Sequence, residues 1–315
     1  MKEIGGYFEF EKLISNELYS NLYAFNSARN CLRYILRKRD IKKIYLPYFL
    51  CEVIEEACSV EGVEISYYNI NKEFMPIVDS NNISPNCYLY IINHYGVLNN
   101  DTILNLYNKY RYIIIDNTHA FFQNSIDGID TIYNCRKYFG VADGAYLFTD
   151  LELDCNLETS KSGFRINHLI GRLEENGSKY YEDFKKADLS FHNEDIMFMS
   201  KFTKNMMGAI DYGNVLRIRK ENFSYLHSKL SKYNKLSVND NMNFMYPLYI
   251  DDAEKLRNIL ISNKIFIPIL WPNVLKLDKN MLEYNLVKNT ILIPIDQRYS
   301  INDMDRIIKI IEENI

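Results

Sequence analysis

Apolar positions along the first half of the chain alternate between two spacings. Over residues 27–39 (SARNCLRYILRKR), Ala28, Cys31, Leu32, Ile35 and Leu36 recur at helical spacing, behind a serine able to cap the helix. Residues 43–46 then read as a short strand stopped by Pro47, and residues 49–58 as a second helix. Strands follow at 64–68, 88–92, 111–115 and 146–148, with a helix at 102–110. Short apolar strands alternating with helices predict an α/β fold, a mostly parallel sheet with helices on both faces, whose ligands gather at the carboxyl ends of the strands.

The second half has a different rhythm. Residues 150–162 are polar and read as a mobile connection; helices are expected at about 167–186 and 195–230, the second interrupted at Tyr212-Gly213. After these come strands at 244–250, 265–270 and 290–293, a helix at 252–262, and a terminal helix over 302–315 capped by Ser300 or Asn302. The division expected is a large domain over 1–190, with the first twenty or so residues free to pack on the other part, and a connecting helix plus a small α+β domain over 191–315.

Composition narrows the partners. At 47% hydrophobic and 25% charged, the 315 residues belong to an ordinary globular class. A net charge of -4, with lysines and arginines scattered among acids, offers no footprint for nucleic acid. The amino-terminal stretch lacks the apolar region of a signal peptide, and no apolar run approaches a membrane span, so a cytoplasmic chain is expected. Cys31, Cys51, Cys58, Cys87, Cys135 and Cys155 are widely spaced without a CxxC; this suggests free thiols rather than a disulfide framework or a metal site.

Residues 113–144 carry the candidate chemistry. An apolar run ends in Asp116, His119 follows, and Lys137 stands 21 residues beyond the acid, next to Arg136. An acid at the end of a buried strand and a lysine on a nearby turn are what holding pyridoxal phosphate requires: the acid keeps the ring nitrogen protonated and the lysine forms the Schiff base. The turns after neighbouring strands, Tyr48 and His94-Tyr95-Gly96, fall on the same sheet edge, and Ser27-Ala28-Arg29 open a helix whose amides suit a phosphate. Asp116 read alone would more often cap a following turn, and Lys137 would be a solvated surface residue.

The ordered segments SARNCL, LPYFLC, INHYG, DNTHAFF, RKYFGVADGAYL and MFMSKFTKNMMGAIDYGNVLRIRKENFSYLHSKL together resemble the DegT-type sugar aminotransferases, fold type I enzymes, from about residue 20 onward. The resemblance implies that Lys137 carries pyridoxal 5'-phosphate, that Asp116 pairs with the ring nitrogen and that His119 lies near the phenolic oxygen. It implies that Ser27, Ala28 and Arg29 hold the phosphate, with Tyr48, His94 and Asn134 around the cofactor. Arg298, Tyr95 and Trp271 are the substrate candidates, Arg298 because its fork suits an anionic group. The family's activity would move an amino group from glutamate or a similar donor to a nucleotide-linked keto sugar, in a homodimer. Asn134-Cys135 replace the family's serine before the lysine, Cys51 stands where an aromatic residue stacks on the ring, and residues 196–200 lack the asparagine that crosses between subunits. Two other readings stay open: another cofactor-dependent reaction on a sugar or amino acid, and a non-catalytic descendant serving as scaffold or regulator. Relatives that dehydrate sugars replace the lysine with histidine, and here the lysine is present.

Overall fold

A computed structural model describes residues 6–239, 241 and 243–315, so residues 1–5 of the amino-terminal stretch lie outside it. Strand β1 (Tyr23–Phe25) leads into helix α1 (Ala28–Lys38), followed by β2 (Lys43–Pro47), α2 (Glu52–Val60), β3 (Glu64–Ile70), β4 (Pro76–Ile77) and β5 (Cys87–Ile92). Helix α3 (Asn100–Tyr110), β6 (Ile113–Asp116), β7 (Asp130–Asn134) and β8 (Ala145–Phe148) complete an eight-stranded sheet of order β1-β8-β7-β6-β5-β2-β3-β4. Its five central strands, β7 to β3, pair parallel, and both ends pair antiparallel. The chain then forms α4 (Asn167–Glu174), α5 (Tyr181–Leu189), α6 (Lys201–Gly208) and α7 (Tyr212–Leu230), before a two-stranded sheet of β9 (Met245–Tyr249) and β10 (Thr290–Pro294) with α8 (Ala253–Ser262), α9 (Leu282–Asn289) and α10 (Ile301–Glu312).

Helix α1 forms where its pattern predicts. Ser27 is extended and its Oγ accepts the Asn30 N–H, Arg37 and Lys38 meet the negative end of the dipole, and Cys31, Leu32, Ile35 and Leu36 are buried. Each such aliphatic side chain contributes about 1.5–3 kcal/mol of burial. These residues form one core with β2, β5 and β6 on one face of the sheet; the other face packs Leu89, Ile91, Ile113 and Ile115 against Tyr246, Leu248, Ile291 and Ile293 of the small sheet. A single apolar cluster therefore joins the large sheet to the carboxyl-terminal layer.

Several elements differ from the sequence pattern. Helix α2 starts at Glu52, because Phe49 and Leu50 are spent as buried core residues in the bend after Pro47. The helix expected over 167–186 is two, α4 and α5, folded back so closely that a Cβ on Gly171 would lie 2.4 Å from the Tyr180 ring. Residues 195–200 run extended, with Phe198 bridging Phe25 and Thr159, and α6 begins only where Ser200 caps it. Residues 265–270 alternate buried and exposed, Ile265 and Ile267 in, Phe266 and Ile269 out, yet form no strand, since β9 pairs with β10 alone among the described residues. The segment before β1 lies along α6, with Leu13 N–H donating to Asn205 Oδ1 and Asn16 N–H to the Gly208 carbonyl.

Candidate active site

Because β2, β5, β6 and β7 run parallel, the segments that leave them emerge along one edge: Tyr48 after β2, His94-Tyr95-Gly96 after β5, Asp116 at the end of β6 and Lys137 after β7. The start of α1 reaches the same edge, tied by the Gly144 N–H donating to the Asn26 carbonyl at 2.8 Å.

Asp116 is buried, 5% exposed. Its Oδ1 accepts the Thr118 N–H at 2.8 Å and its Oδ2 accepts the Tyr90 hydroxyl at 2.7 Å. Burial raises its carboxyl above the usual range, opposed by the hydrogen bonds from Thr118 and Tyr90 and by the charge of Lys137. Lys137 closes a 3-10 turn over Cys135–Lys137, which Asn134 opens by accepting the Arg136 N–H on its side chain. The lysine is exposed and, among the described residues, has no carboxylate within ion-pairing distance.

His119 is buried in a column of rings. It stacks on Phe244 at 4.2 Å and 9°, and lies parallel to Trp271 at 5.8 Å and to Tyr95 at 6.0 Å. Its Nδ1 accepts the Tyr95 N–H at 3.3 Å, so the neutral ring carries its proton on Nε2. Burial, with Lys137 and His94 adding to it, pushes its pKa well down. Tyr138, next after the lysine, places its hydroxyl 2.8 Å from the His119 carbonyl and 2.9 Å from Asn243 Oδ1, its one proton shared between the two. The lysine turn and the histidine turn are thereby one unit.

The remaining candidates take varied places. Ser27 caps α1, and the first amides of the helix, on Ala28 and Arg29, have no carbonyl four residues back. The Arg29 guanidinium is engaged with Glu56 at 3.1 Å and the Phe191 carbonyl at 3.0 Å. Tyr48 is half-buried and stacks on Tyr67. His94 is enclosed by Phe49, Phe74 and Trp271, donates from Nε2 to the Phe49 carbonyl at 2.9 Å, and is pushed down to about 4 by burial. Tyr95 is buried at φ +57°, and Trp271 forms an edge contact with Phe49 at 4.9 Å. Arg298 spends its fork on Asp296, at 2.6 and 2.9 Å.

Three contributors escaped the sequence reading. Tyr90 was signalled by strand alternation: it shares a face with Ile92, the register partner of Asp116. Phe244 and Arg219 left no local signal, since their roles depend on α7 and β9 packing over the edge. Arg219 donates to the carbonyls of Tyr138, Asn243 and Phe244.

Neither a family model nor a curated protein sequence matches the chain. Solved structures do. One described as a sugar aminotransferase of Streptococcus pneumoniae, Spr1654, in its PLP form, superposes with a TM-score of 0.67 at 13% identity over 94% of this chain and 89% of that one. The sugar aminotransferase CalS13 of Micromonospora echinospora gives 0.63 at 11% identity, covering 93% and 87%. A DegT DnrJ EryC1 StrS aminotransferase of Brucella abortus gives 0.62 at 12%, covering 93% and 85%. The chain has the fold of these enzymes, as its mostly parallel sheet and small antiparallel layer require.

Proposed function

We propose that this protein is a pyridoxal-phosphate-dependent aminotransferase acting on a keto sugar. The observation that carries the reading is the buried Asp116 carboxylate at the end of β6, with Lys137 on the turn that follows the neighbouring parallel strand β7. The resemblance of the ordered segments to the DegT-type enzymes, and the fold shared with sugar aminotransferases, support it.

The residues fit the cofactor in three respects. Open amides at the start of α1 suit its phosphate, a buried carboxylate its ring nitrogen and an exposed amine, without a carboxylate partner among the described residues, its aldehyde. At the position of the expected ring cover stands half-buried Cys51.

Bound pyridoxal phosphate supplies an aldehyde that exchanges amino groups and a ring that withdraws electrons from the reacting carbon. Asp116, kept ionised, holds a proton on the ring nitrogen. Ala28 and Arg29 amides bind the phosphate, with Ser27 fixing the helix start. His119 offers its Nε2–H toward the phenolic oxygen, and its neutrality leaves the positive charge of the site on the lysine. Lys137 Nζ would anchor the cofactor and would hold and move the proton at the substrate carbon. Tyr48, His94 and Asn134 shape the surrounding wall, and Tyr95, Trp271 and Arg298 the side from which substrate approaches. Glutamate or a similar amino acid is the proposed donor and a nucleotide-linked keto sugar the acceptor. The proposed assembly is a homodimer in the cytoplasm; among the described residues no helix is long and apolar enough to cross a membrane.

Incubation with pyridoxal phosphate should give the protein a near-visible absorption band that borohydride fixes to Lys137. Glutamate should bleach the band, and Lys137→Ala should never develop it. A wild-type protein that takes up no pyridoxal phosphate would sink the proposal.

A further inference from the structure

We propose that Tyr90 is a positioning residue of this site: its phenol, reaching from β5 to Asp116 Oδ2, keeps that carboxylate ionised and fixed in orientation. The orientation toward a ring nitrogen rests on the function proposed above; the ionisation does not.

The register explains how a tyrosine two residues away arrives there. Ile92 lies opposite Asp116 and Tyr90 opposite Ile114 in the parallel β5–β6 pair, so all four side chains share one face. Diagonal neighbours across a sheet lie about 7–8 Å apart, within reach of an aromatic side chain. The hydroxyl meets Oδ2 at 2.7 Å, with both residues buried. The space around them belongs to the apolar core of α1, β2, β5 and β6, in which Ile92 and Ile114 take part. A carboxylate there takes up a proton unless donors favour the charged form.

The groups facing Asp116 are few. Thr118, from the following turn, donates its N–H to Oδ1, and its hydroxyl also favours the charged form. Cys31, from α1, is a thiol that burial and the nearby carboxylate hold protonated. Lys137, across the edge, is exposed, and water and salt screen its charge. Tyr90 is therefore the side chain that delivers a buried donor to Oδ2, and its own proton is secure, because burial and Asp116 both push its pKa far up. Hydrogen bonds to ionised acceptors are roughly twice as strong as neutral ones, so this phenol lowers the Asp116 carboxyl against the pull of burial. Its fixed direction also leaves the carboxylate one rotamer, with Thr118 at one oxygen and Tyr90 at the other.

The test is Tyr90→Phe, which keeps the ring and removes the hydroxyl. Carbon-13 NMR of the full-length protein without added cofactor, with the Asp116 resonance assigned through Asp116→Asn, follows the carboxyl titration. It should move up by about one unit, a tenfold change in the protonation constant. Tyr133→Phe, which deletes another buried hydroxyl, donating to the Gln123 carbonyl at 2.8 Å, should leave that titration in place. Fluorotyrosine at position 90, a stronger donor that preserves packing, should move it down, and keeps the proposal testable if Tyr90→Phe fails to fold. An Asp116 titration unmoved in folded Tyr90→Phe, or in the fluorotyrosine protein when Tyr90→Phe does not fold, overturns the proposal. Pyridoxal phosphate affinity is read in parallel at a pH below the Asp116 titration, where it should fall by up to about tenfold. A shifted titration with unchanged affinity overturns the orienting role. If the wild type binds no pyridoxal phosphate while the titration still shifts, the cofactor reading falls and the ionising role of Tyr90 stands.

Discussion

Replacing Arg219 by methionine should loosen the lysine turn and the histidine column at once. Arg219 is 2% exposed on α7. Its Nη1 donates to the carbonyls of Asn243 at 3.0 Å and Phe244 at 3.1 Å, its Nη2 to the carbonyl of Tyr138 at 3.2 Å, and its Nε to Gln297 Oε1 at 3.1 Å. The guanidinium also lies 4.4 Å from the centre of the Tyr138 ring. Burial opposes its charge, so the carbonyls and the ring are what make the position tenable. Methionine fills the stem but takes a donor from the buried carbonyls of Asn243 and Phe244, while that of Tyr138 keeps Gln297 alone. At about 1 kcal/mol for each hydrogen bond, plus about 1 kcal/mol for the cation–π contact, the loss should be about 3–5 kcal/mol. For a chain of this size that lowers the melting midpoint by about 5–8 °C. Urea unfolding measures the energy, and proton NMR of the His119 ring, which sits 4.2 Å from Phe244, reports whether the stack relaxes. A loss below about 1 kcal/mol with an unchanged His119 spectrum would refute the view that one guanidinium fastens both turns.

Two further perturbations test the surroundings. Burial holds His94 down to about 4 while an unfolded histidine titrates near 6.5, so the unfolded chain binds the extra proton between these values. Stability should be full above about pH 6.5 and fall by about 3 kcal/mol as the pH drops toward 4; the pH slope of urea midpoints, flattened in His94→Phe, checks this. Gly144, at φ +108°, would place a Cβ 3.0 Å from Met199 Cε and from Thr203 Cγ2. Gly144→Ala should cost about 1–3 kcal/mol, and Met199→Ala added to it should recover only the steric part, since the backbone strain remains.

How much of this was legible in the sequence depends on whether a residue's partners are local. Helix α1 and its serine cap were readable because cap, stripe and terminal basic residues lie within one segment. Asp116 was readable because three consecutive buried isoleucines lead to it. Strand β7 was not, although it carries the lysine turn: its first two residues are polar, and Asp130 is buried only because Arg39 donates to it at 2.8 Å and Thr149 at 2.6 Å from other elements. Three-residue β1 is too short to show a period. The column of Tyr95, His119, Phe244 and Trp271 draws on four separated stretches. The alternation over 265–270 was real but tracked burial against neighbours, because a strand also requires a ladder partner.

The lysine turn is held from both sides by contacts that, among the described residues, do not engage its amine. On the inner side, the Tyr138 carbonyl is taken by Arg219 and by Gln297 Nε2 at 2.9 Å, while the Tyr138 hydroxyl reaches the His119 turn. On the outer side, Arg136 donates to Asp188 at 2.9 Å and lies 4.3 Å from the Phe191 ring. Arg165 lies 4.0 Å from the same ring, and the Phe191 carbonyl receives Arg29 from the start of α1. The residues flanking Lys137 thus satisfy the local demand for charge and hydrogen bonds. The arginine beside the lysine is committed to these contacts, and the acids near the turn are taken up by its neighbours.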